Sequence, residues 1–88
     1  MKQSYSPYTL FIMALFNVTV KMTQTVNGER LEKGMSAEVA YGTRSTFSPL
    51  QTLDGKAKVA EAFKFKYGVD LKKACALDAV HLTIEKLN

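Results

Sequence analysis

Two side chains in this sequence have the chemistry of a catalytic nucleophile and its base. They are Cys75 and His81, the single cysteine and the single histidine of the chain. A thiol beside an imidazole is the pairing that thiol enzymes use for covalent catalysis. Cys75 lies in the apolar run Ala74-Cys75-Ala76-Leu77, which predicts a small buried side chain, and His81 falls on the polar face of a predicted strand. We therefore expect no catalytic residues, and a thiol enzyme is the least favoured of three hypotheses.

The remaining ionisable residues and the glycines do not form a metal or cofactor motif. The eight Asp and Glu residues are scattered along the chain, without the acidic cluster that a calcium or magnesium site needs. The five glycines each fall at a predicted turn or helix end, and their spacing matches no phosphate-binding loop. The sequence therefore predicts no cofactor and no metal.

Positive charge is concentrated between residues 56 and 73. This stretch holds six of the twelve basic residues against only Glu61 and Asp70, so it carries +4, the whole net charge. On a helical wheel Lys58 falls beside Phe65, away from the predicted buried stripe. An exposed aromatic ring among ammonium groups is typical of a surface that stacks a base and holds phosphates. The predicted nucleic-acid site comprises Lys56, Lys58, Lys64, Phe65, Lys66, Lys72 and Lys73, with Arg44 as a loop candidate.

Two alternatives to nucleic-acid binding stay open. The lysines are equally consistent with a solvated helix rim that has no partner. The apolar residues near the N-terminus favour instead a protein-interaction or self-assembly module, in which residues 1–16 and a sheet edge dock onto a second copy or another protein; they are Tyr5, Tyr8, Leu10, Phe11 and Ile12. The same segment would otherwise form a strap over its own core. In each case we expect a non-enzymatic binding or accessory module.

The first half of the chain predicts a β-hairpin, because apolar and polar residues alternate around an Asn-Gly pair. The first strand is predicted over Leu15–Thr23, and its buried face comprises Phe16, Val18, Val20 and Met22. The turn is placed at Asn27-Gly28, and a short strand at 30–32 pairs back. Another strand is predicted over Met35–Tyr41, with Ala37, Val39 and Tyr41 facing inward.

The second half predicts one helix and a final strand. A loop of about thirteen residues, Gly42–Asp54, leads to a helix over Gly55–Tyr67 with Asp54 as its N-cap and Gly68 after its end. Its apolar stripe comprises Val59, Ala60, Phe63 and Tyr67. Asp70 is predicted to cap a further short turn. The last strand places Val80, Leu82 and Ile84 on one face and pairs with an earlier strand.

Length and composition bound the organisation of the protein. Eighty-eight residues make one domain, predicted over 13–88, with residues 1–12 as an extension or strap. Met13 would serve as an alternative start. The lone cysteine excludes an internal disulfide and favours a reducing, cytoplasmic location. The N-terminal apolar run is too short to cross a membrane, so no membrane partner is expected.

Two stretches resemble a family of small bacterial proteins of unknown function. They run from Phe16 to Met35 through the Asn-Gly turn, and from Ala60 to Ala74 across the predicted helix end. The resemblance covers about residues 13–88 and implies a small cytoplasmic protein, with no activity to carry over. The fold class expected from all these elements is α+β: a small curled antiparallel sheet of about four strands, a meander or partial barrel, packed by one helix near residues 55–67.

Overall fold

The computed structural model describes residues 13–43 and 48–87. The strands are β1 (Met13–Val20), β2 (Gln24–Val26), β3 (Glu29–Leu31), β4 (Ser36–Thr43) and β5 (Leu82–Lys86). A 3₁₀ turn, Pro49–Gln51, precedes the helix α1 (Leu53–Tyr67). The α+β class is confirmed, with the strands in two antiparallel sheets. The predictions for residues 1–12 and Arg44 lie outside the described residues.

The main sheet has three strands in the order β4-β1-β5 and is open. β1 is central, and Val18 lies between Ala37 of β4 and Ile84 of β5. The alternation of β1 explains this position, because Phe16, Val18 and Val20 are buried while the residues between them are half-buried. The sequence did not predict which strand the last strand pairs with. In the structure, β5 pairs with β1.

The Asn-Gly hairpin is confirmed, but it forms a separate two-stranded sheet of β2 and β3. Asn27 and Gly28 have φ values of 51° and 81°, the left-handed pair that a type I′ turn requires. The prediction of one strand through Thr23 was wrong, because β1 ends at Val20 and residues 21–23 are exposed. Met22 is 42% exposed instead of facing the core. The Thr23 hydroxyl accepts a hydrogen bond from Lys33 N–H, which fixes the base of the hairpin outside the main sheet.

β4 is longer than predicted and contains a bulge. Met13 pairs with Thr43 and Leu15 with Ala40, so β4 has one residue more than β1 over this stretch. Gly42, predicted to open the loop, continues the strand with a φ of 69°. Its positive φ suits the extra residue of a bulge, which glycine adopts without strain.

Helix α1 packs on the core face of the sheet. Its N-cap is Thr52, whose hydroxyl accepts from Gly55 N–H at 3.0 Å, so the predicted cap at Asp54 was wrong by two residues. Gly68 ends the helix in the left-handed conformation, as predicted. Val59 and Phe63 are fully buried, which confirms the centre of the apolar stripe.

The segment between α1 and β5 closes the core. Asp70 caps a turn by accepting from Lys73 N–H at 3.1 Å, as predicted. Leu71, Ala74 and Ala76 are buried against the sheet and helix. Cys75 is exposed, so its predicted burial was wrong: with a φ of 53° the chain directs the residues on either side inward and Cys75 outward.

Candidate functional site

The lysines predicted as one nucleic-acid surface lie on four different parts of the structure. Lys56 is half-buried on one side of α1, whereas Lys58 and Lys64 are exposed on its outer face. On the other side, Lys66 donates to the Ser36 carbonyl at 2.7 Å and lies 5.3 Å from the centre of the Tyr67 ring. Lys72 and Lys73 are exposed in the turn after the helix. The fold therefore disperses the charge that the sequence concentrates.

The outer face of α1 carries both signs of charge. Asp54, Lys58, Glu61 and Phe65 are all exposed and lie four, three and four residues apart, which stacks them along one side of the helix. Phe65 is 59% exposed, as expected from the wheel, but an acidic residue lies one turn before it. Glu61 would repel a phosphate held by the neighbouring ammonium groups, and this weakens the interpretation of this face as a phosphate-binding surface.

Cys75 and His81 make separate contacts. Cys75 Sγ lies 4.0 Å from the Lys73 carbonyl oxygen, and the His81 imidazole bonds to Asp78 through Nδ1 and Oδ1 at 2.7 Å. His81 lies in the turn that precedes β5, whereas the sequence predicted it on the polar face of the strand. Val80 lies in the same turn and is 65% exposed, so the prediction that it belongs to the last strand was wrong.

An open groove of about 590 Å³ lies beside β5. One wall is Leu82, Thr83 and Ile84 of β5, and the 3₁₀ turn and the first turn of α1 form the opposite wall. Because successive strand side chains point to opposite faces, a groove lined by three consecutive residues follows the backbone edge of the strand. The groove is lined by Lys21, Ser48, Leu50, Gln51, Lys56, Leu77, Asp78, Ala79, Leu82, Thr83 and Ile84.

The backbone of β5 has hydrogen-bonding capacity on this side. Lys21 N–H donates to the His81 carbonyl and Leu87 N–H to the Leu15 carbonyl, so the odd-numbered residues of this strand bond to β1. The even-numbered residues face away from β1. The Leu82 N–H donates a hydrogen bond to the Asp78 carbonyl at 3.0 Å. Among the described residues, Ile84 N–H and C=O have no partner.

Asp78 fixes the start of β5 where the groove begins. Its Oδ1 accepts from the backbone N–H groups of Val80 and His81, each at 3.0 Å, as well as contacting the imidazole. Desolvation pulls the pKa of Asp78 upward, but the hydrogen bonds from the His81 ring and from these amides outweigh it, so that the pKa lies below its usual value. The carboxylate therefore acts as a fixed structural anchor.

Sequence reasoning missed most of this groove. Lys21, Leu50, Leu77 and Asp78 come from four separate segments, and no spacing in the chain relates them. The one available signal was the alternation of Leu82 and Ile84, which predicted the strand but not its free edge. Lys56 was predicted, for a different surface.

Over the described residues, these features define a small α+β protein in which an apolar groove lies beside the β5 edge of the main sheet. The chain belongs to DUF6140, a family of unknown function whose model matches residues 13–84. This confirms the resemblance to an uncharacterised family. No curated protein and no solved structure matches the chain. Over the described residues, no helix combines the length and the apolar character needed to cross a membrane.

Proposed function

We propose that this protein is a non-enzymatic protein-interaction module that binds an extended segment of a partner protein along β5. The observation that carries the proposal is the coincidence, at one edge of the sheet, of an apolar groove with an Ile84 backbone that has no partner within residues 13–43 and 48–87. Strand addition of this kind takes its affinity from main-chain hydrogen bonds and its specificity from pockets for alternate side chains.

The groove has the character that such a ligand requires. Leu50, Leu77, Leu82 and Ile84 supply its apolar lining. Its volume of about 590 Å³ lies within the range of about 300–1,000 Å³ that ligand sites occupy. Val80, 65% exposed, directly follows the groove residue Ala79, so apolar surface extends past the groove. An exposed apolar surface beside an unpaired strand edge favours a docking role.

The proposal is tested by an NMR titration of the full chain with a defined strand peptide. The probe is an acetylated, amidated heptapeptide of alternating Thr and Val, and the matched control is the same peptide N-methylated at alternate residues. We expect the first peptide to shift the Ile84 amide resonance and slow its hydrogen exchange. The N-methylated peptide, which lacks donors on one edge, should do neither.

Four results would overturn the proposal. Equal shifts with both peptides would show side-chain contact without strand addition, and no shift at about 1 mM peptide would leave the edge without a ligand of useful affinity. Concentration-dependent shifts of Ile84 without peptide would identify a second copy as the occupant. In parallel, salt-sensitive binding of a single-stranded oligonucleotide that a Lys58→Glu, Lys64→Glu variant loses would assign the function to nucleic acid instead.

A further inference from the structure

We infer that the β5 groove selects a segment carrying an acidic side chain two residues away from an apolar one, with Lys56 as the residue that contacts the acid. This inference rests on the proposed function and specifies its ligand. Its starting point is the set of three charged residues in the groove, which are Lys21, Lys56 and Asp78. Two ammonium groups against one carboxylate make the groove net positive.

Two of these three charged groups already have hydrogen-bond partners within the protein. Lys21 Nζ donates to the Ala79 carbonyl at 2.6 Å. Asp78 Oδ1 receives two backbone N–H groups and contacts the His81 ring. Neither group therefore has to change its contacts when a ligand arrives, and both shape the end of the groove.

Lys56 is different. Its side chain is half-buried at the groove wall, and within residues 13–43 and 48–87 its ammonium group has no acceptor. Its backbone N–H donates to Thr52 O, which fixes the start of the side chain in the first turn of α1. An ammonium group in a groove with apolar lining, and with no counter-ion among the described residues, is better placed to hold an anion than the exposed lysines on the outer face are. Successive side chains of an extended ligand point to opposite faces. A ligand that places an acidic side chain at Lys56 therefore directs the two adjacent side chains away from the groove.

The ligand chemistry follows from this arrangement. A carboxylate side chain would pair with Lys56, and a neighbouring aliphatic residue on the same face of the ligand strand would occupy the apolar lining of Leu50, Leu77 and Leu82. A basic residue in the same place would be repelled by Lys56 and Lys21. The groove thus discriminates by charge while the strand edge supplies affinity that does not depend on sequence.

The test compares two peptides on three forms of the full chain. The peptides are the Thr-Val heptapeptide with one central Glu and its isosteric Gln analogue. The forms are wild type, Lys56→Met and the matched control Lys58→Met, which removes an exposed lysine half a turn away on the outer face of α1. We expect the Glu peptide to bind wild type about fivefold more tightly than the Gln peptide, with a preference that declines as salt is raised.

The Lys56→Met form should lose this preference, and the Lys58→Met form should keep it. A preference that survives in Lys56→Met, or equal binding of the two peptides to wild type, overturns the inference while leaving strand addition intact. Binding of neither peptide is a failure of the proposed function itself. Thermal unfolding of both variants checks that each retains the wild-type fold.

Discussion

The two edges of the main sheet differ in how helix α1 covers them. At the β4 edge, the end of α1 covers Ser36: the Tyr67 hydroxyl accepts from Ser36 N–H and donates to Ser36 C=O, each at 2.9 Å, and Lys66 binds the same carbonyl. At the β5 edge, a groove lies beside the strand, and the start of α1 contributes to its lining. The same helix therefore closes one edge at its C-terminus and leaves the other open at its N-terminus.

This difference shows which edge is protected and which is available. An unpaired strand edge invites pairing with other chains, and proteins usually block it with charge, a bulge or a covering element. β4 has all three: the exposed Glu38, the bulge near Gly42 and the helix end over Ser36. β5 also carries exposed charges, at Glu85 and Lys86, but within residues 13–43 and 48–87 it has no bulge and Ile84 has no covering element, which supports a role in binding at that edge.

The strongest expected perturbation of this asymmetry is Gly55→Ala. A Cβ at Gly55 would collide with the backbone of Pro49, so the 3₁₀ turn that forms the groove wall must move. We expect a loss of about 2–3 kcal/mol in the free energy of unfolding, measured by urea denaturation. NMR shifts should appear in the groove and not at Ser36.

The control for this change is Glu61→Ala on the exposed face of the same helix, which should alter stability by less than about 0.5 kcal/mol. In a helix, alanine is more favourable than glycine by about 1 kcal/mol. A Gly55→Ala protein more stable than wild type would therefore show that the close approach of the turn to α1 is not required.

A smaller effect is expected at the closed edge from Tyr67→Phe. The change removes one hydroxyl that satisfies both backbone groups of Ser36 and keeps the ring that packs 5.7 Å from Phe63. The free energy of unfolding should fall by about 1–2 kcal/mol, because the Ser36 amide is left unsatisfied. Amide hydrogen exchange at Ser36 should accelerate while that at Ile84 stays the same. If Ser36 exchange does not change, the helix end does not protect this edge.

The smallest effect concerns pH at the open edge. The folded-state pKa of Asp78 lies below its ordinary value of 3.8, so the contribution of this carboxylate to stability is present above that value and is lost as the pH falls through the folded pKa. Wild type should therefore lose stability below about pH 4 relative to Asp78→Asn, which has no carboxylate to titrate. Urea midpoints at several pH values measure the difference. Parallel curves for the two proteins would show that Asp78 does not anchor β5 through its charge.

Much of the fold was predictable because it depends on local patterns. The Asn27-Gly28 turn follows from the positive φ that both positions must adopt, and the end of α1 follows from Gly68. The cap at Thr52 was missed because Asp54 is an equally good capping residue by type, and only the position of Pro49 against Gly55 selects the earlier start. Cys75 was misplaced for a related reason, since an apolar neighbourhood in sequence does not reveal a single left-handed residue.

By itself, the sequence determined the class of the protein: which segments alternate, which one is helical, where the turns fall and that the net charge is positive. The tertiary structure decided the rest. It made β1 the central strand, separated the β2–β3 hairpin from the main sheet and spread the lysines over four surfaces. The physical reason is distance along the chain. Lys21, Leu50, Lys56 and Ile84 meet in one groove only because helix and sheet pack together, and no local spacing records that contact.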